Sequence, residues 1–199
     1  MTEIKSAKEY VKMNFLSLEP DEVPVRDSNF EACTFKNCKF IARKFYGCSL
    51  STCSFIDCDL SQADFADSRL DDVTFLTSKI VGVNWTSIRQ KPVLPSLSFI
   101  DSKLDYCSFF GITVRALVFQ KCSLKEVDFR EANLAHTTFD FSDLAGSLFH
   151  ATDLSQTSFK GAQNYSINPE TCSIKGAQFS MPEAINLLDS LQIKLVAVE

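Results

Sequence analysis

The sequence predicts an all-β solenoid, and three observations predict it. First, every fifth residue from Phe30 to Trp85 is large and apolar: Phe30, Phe35, Phe40, Phe45, Leu50, Phe55, Leu60, Phe65, Leu70, Phe75, Ile80 and Trp85. A helix recurs at ~3.6 residues and a strand at ~2, so a sustained period of five fits neither and marks a solenoid repeat. Second, the residue two before each of these is small, with Arg43 as the exception. Third, the phase returns in a second run, Phe99, Leu104, Phe109, Val114, Phe119, Leu124, Phe129, Leu134, Phe139, Leu144, Phe149, Leu154 and Phe159. All eight cysteines lie two residues before a central position and all six glycines two after one, while no proline falls inside either run.

Segments such as Ala63-Asp64-Phe65, Ala132-Asn133-Leu134 and Ser142-Asp143-Leu144-Ala145-Gly146 resemble the pentapeptide-repeat motif, A(D/N)LXX, over roughly residues 28 to 179. The resemblance implies a right-handed quadrilateral β-helix with four pentapeptides per coil. It also implies that the central residue and the one two before it point inward. The physics agrees: a small inward residue leaves room for the large one beside it, and glycine after the corner suits positive φ. Coils stack at ~4.8 Å. With four repeats per coil, Phe99, Phe119, Phe139, Phe159 and Phe179 share one face and Phe109, Phe129 and Phe149 the opposite one. Leu104, Leu124 and Leu144 fill a third face, and Val114, Leu134, Leu154 and Ile174 the fourth.

In chain order, residues 1–27 read as an N-terminal cap or irregular first coil. Phe15 and Val25 are in phase, but Pro20 and Pro24 interrupt the pattern. Such a cap would cover an open coil edge that otherwise pairs with other chains. Residues 28–85 are the first repeat block. Residues 86–98 break the phase, because Trp85 and Phe99 are one residue short of three repeats apart, and Pro92 and Pro95 mark the slip. This break is either a tight bulge or a protruding basic loop presenting Arg89, Gln90 and Lys91 to a partner. Residues 99–179 are the second block. Residues 180–199 read as a short α-helix and a strand. Ser180 is a candidate N-cap, with Pro182 and Glu183 in the first turn. Ile185, Leu187, Leu188 and Leu191 supply an apolar flank, and residues 193–198 alternate like a strand. The helix caps the last coil, forms a dimer interface, or does both.

Composition narrows the function classes. Of 199 residues, 45% are hydrophobic, enough for one domain with an ample core. No stretch approaches the ~18 apolar residues of a membrane span. Met1-Thr2-Glu3-Ile4-Lys5 lacks the apolar core of a signal peptide, so a cytoplasmic location is expected. A net charge of −5 argues against nonspecific nucleic-acid or anionic-membrane binding. The cysteines read as small hydrophobes in inward slots rather than as disulfides or metal ligands. His136 and His150 point outward. No nucleophile–His–acid set, phosphate-binding glycine loop or paired carboxylates indicates catalysis, so neither an enzyme activity, a small-molecule substrate nor a cofactor is expected.

The ends and the break resemble one branch of the family more closely. Gly82-Val83-Asn84-Trp85-Thr86-Ser87, Asn164-Tyr165, and Ser180-Met181-Pro182-Glu183-Ala184 with Leu187-Leu188-Asp189-Ser190-Leu191 are similar to parts of the bacterial topoisomerase-protecting proteins, the AlbG, McbG, Qnr and MfpA group. That resemblance implies a homodimer joined at its C-terminus. It also implies mimicry of the charge and width of B-DNA, binding to DNA gyrase, and relief of poisons such as quinolones or peptide antibiotics. A plain protein-interaction scaffold is the alternative. A mimic needs outward acids without neutralising neighbours. Twenty-residue offsets pair Asp59 with both Lys39 and Lys79, Asp101 with Lys121, Asp105 with Lys125, Asp140 with Lys160 and Lys44 with Asp64. The acids left over are Asp67, Asp71 and Asp72 near Arg69, and Glu126, Asp128 and Glu131 near Arg130. These six are the candidate partner-facing residues, and ordinary solubilising charge is the other reading.

Overall fold

A chain whose every fifth side chain is apolar can bury them all only by turning a corner after each one. The computed structural model describes residues 3–90, 96–114 and 116–191. They form a right-handed quadrilateral β-helix of about eight coils. In the regular coils the corner residue, two after the central one, holds positive φ. Asp67 lies at 57°, Asp72 at 54°, Glu126 at 55° and Glu131 at 60°. This left-handed conformation costs a residue other than glycine ~1–2 kcal/mol, and the stacked coils hold it in place. Glycine is needed most at Gly161 (φ +65), where an added Cβ would meet the Phe141 ring at 2.6 Å.

The four faces follow one another around each coil. The first pairs Glu9–Val11, Asn29–Glu31, Ser49–Ser51 and Arg69–Asp71 in parallel. The second is a six-stranded parallel sheet of Asn14–Leu16, Thr34–Lys36, Ser54–Ile56, Val73–Leu76, Leu97–Ile100 and Val118–Gln120. The third is stitched by single bridges, including Lys39 to Asp59 and Lys103 to Ser123. The fourth begins with Val25–Arg26 on Phe45–Tyr46 and continues through Asn84, Ser108, Asp128 and Leu148.

The core is a set of aromatic columns. On the second face Phe15, Phe35, Phe55, Phe75, Phe99, Phe119, Phe139, Phe159 and Phe179 stack nearly parallel, from 4.6 Å between Phe35 and Phe55 to 5.2 Å between Phe99 and Phe119. On the fourth face Phe45, Phe65, Trp85, Phe109, Phe129 and Phe149 do the same. Offset stacking adds to the apolar burial. The small slots beside these columns are chemically specific. Cys53 Sγ donates to Phe30 O at 3.4 Å and Ser68 Oγ to Phe45 O at 2.7 Å, each reaching back into the preceding coil. All eight cysteines are buried free thiols. Burial pushes the Cys107 and Cys122 thiols up to about 12, as expected of inert hydrophobes.

Three expectations change. The first coil, expected to be irregular, winds in register, because Glu9–Val11 and Asn14–Leu16 already pair with Asn29–Glu31 and Thr34–Lys36. The phase break lengthens one coil by four residues: Phe75 pairs with Phe99 and Lys79 with Lys103, an offset of 24 instead of 20. The Phe75–Phe99 stack at 5.0 Å shows that the second face absorbs none of it. The helix Glu183–Leu191 is 3₁₀ rather than α. Its apolar residues Ile185 and Leu188 are three apart, which three residues per turn places on one edge. The Ser180 hydroxyl accepts from Gly161 N on the preceding coil instead of capping the helix, while Ser180 O accepts from Ala184 N. The expected strand at 193–198 lies outside the described residues.

Candidate partner-binding surface

Outward positions alternate with the buried ones, so each charge is placed by its offset from a central residue. Asp67 follows Phe65 at the corner between the fourth and first faces. Asp71 and Asp72 follow Leu70 at the next corner. Glu131 lies on the same corner column as Asp67, about three coils or ~14 Å away at the usual strand spacing. Glu126 occupies the corner on the other side of the fourth face. Asp67, Asp72, Glu126 and Glu131 are exposed and Asp71 is half-buried. None of these five makes an ion pair among the described residues. The structure therefore places the two predicted groups on adjacent faces that share one edge.

Asp128 does not belong with them. Arg130 grips it from two residues away, with Nε to Oδ1 at 2.9 Å and Nη2 to Oδ2 at 2.8 Å. Those hydrogen bonds hold the Asp128 carboxyl below the usual carboxylate range. A residue two positions on projects from the same face, so its side chain reaches more directly than a neighbour twenty residues away. Other ion pairs also differ from the expected ones, some within one face and some between coils. Lys79 does reach Asp59 at 3.5 Å, but Lys39 pairs with Glu19 at 3.0 Å. Asp105 pairs with Lys103 at 3.1 Å, and Lys125 turns to Asp143 at 3.2 Å. The twenty-residue partners meet through the backbone instead: Lys125 N donates to Asp105 at 3.1 Å and Lys160 N to Asp140 at 3.2 Å. Burial raises the Asp105 pKa, and the donors Ser123, Lys125 and Lys103 outweigh it, leaving the carboxyl below its ordinary value. Lys44 with Asp64 and Asp101 with Lys121 form no side-chain ion pair among the described residues.

Sequence reasoning missed two acids. Glu31 stacks over Ser51 and Asp71 in the first-face ladder, and with Arg69 they line a shallow groove of about 210 Å³. Asp27 leans over Gly47 toward the Asp67 corner, where a Cβ on Gly47 would meet its carboxylate at 2.7 Å. Both are exposed. A forty-residue offset, Glu31 to Asp71 and Asp27 to Asp67, was the signal in the sequence.

The other predicted positions are less developed. Arg89 is exposed, and its backbone N donates to Ser68 O at 2.8 Å. Gln90 is tied down, its Oε1 accepting from Thr113 N at 3.0 Å. Lys91 lies outside the described residues. At the C-terminal end Ile185 is exposed, Leu187 packs on the core and Leu188 is half-buried. The Leu191 side chain lies outside the described residues. Among the described residues no group of His, Cys, Asp or Glu could hold a metal ion. None of the described helices is long and apolar enough to cross a membrane.

A model of the pentapeptide repeat region matches residues 28–94, and one of eight-copy pentapeptide repeats matches residues 122–161. No curated protein sequence matches the chain. Among solved structures, the chain is similar to two trypsin-treated variants of QnrB1, a plasmid-mediated fluoroquinolone resistance protein. One aligns at 21% identity with a TM-score of 0.54, covering 96% of this chain and 99% of that one. The other aligns at 19% with a TM-score of 0.55, covering 96% and 100%. The repeat matches together span more than half of the sequence and fall on the coils whose corners carry the acids, so the chain belongs to the pentapeptide-repeat family.

Proposed function

We propose that this protein binds DNA gyrase or a related type II topoisomerase in place of DNA and protects it from poisons of the quinolone or peptide-antibiotic kind. The observation that carries the reading is the edge between the first and fourth faces. There Asp27, Asp67 and Glu131 line one corner, flanked by Glu31, Asp71, Asp72 and Glu126, without an ion pair among the described residues. A topoisomerase surface built for phosphates offers cations to such an edge. The likeness to QnrB1 and the end motifs favour the same partner class. In this reading the protein acts by binding and is not an enzyme. Two copies join through the C-terminal helix around Ile185 and Leu188, which would run the acidic edge across a twofold axis.

The test is gyrase supercoiling in the presence of a quinolone, with purified protein titrated in. Supercoiling should recover, and an Asp67→Ala/Asp71→Ala/Asp72→Ala variant that still folds should lose that effect. Neither rescue nor inhibition at about 10–100 µM protein, concentrations at which even weak phosphate-type contacts register, would sink the gyrase reading.

A further inference from the structure

The exposed acids are far sparser than the phosphates of a duplex, which carries a charge every ~1.7 Å. A partner held by this surface needs another source of affinity, and the fourth face supplies it over three consecutive coils. On the upper coil Tyr106 and Phe110 are 60% and 41% exposed, on either side of Ser108. On the middle coil stand Glu126, Asp128, Arg130 and Glu131. On the lower coil Leu148 is 49% exposed beside His150. The stacking is fixed by backbone bonds from Tyr106 N to Lys125 O, Gly111 N to Arg130 O and Phe129 N to Leu148 O. The Arg130 guanidinium lies over the Phe110 ring, 5.8 Å from its centroid, while it grips Asp128.

This arrangement departs from the repeat rule, under which outward positions are polar. The coil above has Gly82, Asn84 and Thr86 at the positions of Tyr106, Ser108 and Phe110, so on the fourth face the apolar character begins with these coils. Exposed aromatic side chains beside an arginine are the composition of interface cores, not of solvated surface. The middle rung holds three carboxylates against one guanidinium, and Arg130 neutralises only Asp128. Glu126 and Glu131 therefore remain to bind cations, one at each corner of the face.

We infer that this patch docks a segment of the partner topoisomerase in which a lysine or arginine is flanked by apolar side chains. The cation meets Glu126 or Glu131, and the apolar neighbours cover Tyr106, Phe110 and Leu148. The inference rests on the proposed topoisomerase partner and makes the contact more than charge mimicry.

The experiment is an affinity measurement with gyrase holoenzyme for four forms of the full chain. These are the wild type, Tyr106→Ser/Leu148→Ser, Glu126→Gln/Glu131→Gln, and the control Leu16→Ser, which alters an exposed residue on another face. The first two variants should each bind at least about tenfold more weakly, and the control as wild type. The loss in Tyr106→Ser/Leu148→Ser should persist at about 0.5 M salt, and that in Glu126→Gln/Glu131→Gln should shrink as screening removes the ionic term. All four should melt together, since the altered side chains are solvent-exposed. Wild-type affinity in Tyr106→Ser/Leu148→Ser would overturn the inference and leave the topoisomerase partner standing. So would sedimentation showing that this variant merely dissociates two copies of the chain, with gyrase affinity intact. A wild type that fails to bind gyrase would overturn both.

Discussion

At the scale of single residues, the five-residue period assigns each side chain one of three jobs: filling the core, occupying the small slot, or turning the corner. Phe55 shows the first, with no exposed surface and ring contacts of 4.6 Å to Phe35 and 5.0 Å to Phe75. Phe55→Ala should cost ~3–5 kcal/mol, read from denaturant unfolding, because neighbouring coils cannot collapse into the gap. Ser68 shows the second. Its hydroxyl accepts from Cys48 N at 3.0 Å and donates to Phe45 O at 2.7 Å, so Ser68→Ala strands two buried backbone groups and should cost ~1–3 kcal/mol. Both roles were legible in the sequence, because inward positions repeat without regard to what lies outside. Surface charge was less legible. Asp128 was read as free because its twenty-residue neighbours are neutral, yet Arg130 two residues away takes it. Local reach of a long flexible side chain is not encoded in the column offset. Asp128, Asp105, Asp59 and Asp143 all hold their carboxyls below the ordinary range in the folded state. A depressed folded pKa means stability that is present above the unfolded value, ~3.9, and lost as pH falls through the folded one. The melting temperature should accordingly hold from pH 7 to about 5 and fall below about pH 4.

At the scale of elements, the period alone accounts for the regular coils, while the ends and the break depend on how neighbouring coils stack. The first coil reads as irregular because Pro20 and Pro24 interrupt it. Those prolines act only after Asn14–Leu16 has paired with Thr34–Lys36. The break at 86–98 was recognised from its length, but the resulting four-residue enlargement of one coil depends on which face absorbs it. The stacking of Phe75 on Phe99 and of Trp85 on Phe109 settles that point. The C-terminal helix was predicted from apolar spacings compatible with either helix type, and spacing alone does not separate 3.6 residues per turn from three. Its exposed Ile185 carries the dimer proposal. Ile185→Asp should shift the protein from dimer to monomer in sedimentation while leaving the melting temperature within a few degrees, since a surface change costs only ~0.5 kcal/mol. An unchanged sedimentation coefficient would remove the dimer from the account.

At the scale of the whole molecule, a solenoid offers flat faces and straight edges, so the proposed function depends on which edge carries uncompensated charge. Of the acids along that edge, Asp67, Asp71, Asp72, Glu126 and Glu131 stand out in the sequence as lacking a basic neighbour one coil away, whereas Asp27 and Glu31 line up with Asp67 and Asp71 only through a two-coil offset. The exposed Tyr106, Phe110 and Leu148 were unremarked, since each taken alone is an ordinary surface residue and only the stacking gathers them. In the proposed function this rod occupies the DNA path of a type II topoisomerase. The most direct measurement is displacement of a fluorescent DNA duplex from gyrase by the purified protein, followed by anisotropy at increasing protein concentration. Displacement should be complete and competitive, and at least about tenfold weaker for Asp67→Ala/Asp71→Ala/Asp72→Ala. Binding of both DNA and protein to the same gyrase without displacement, or displacement unchanged in that variant, would contradict it.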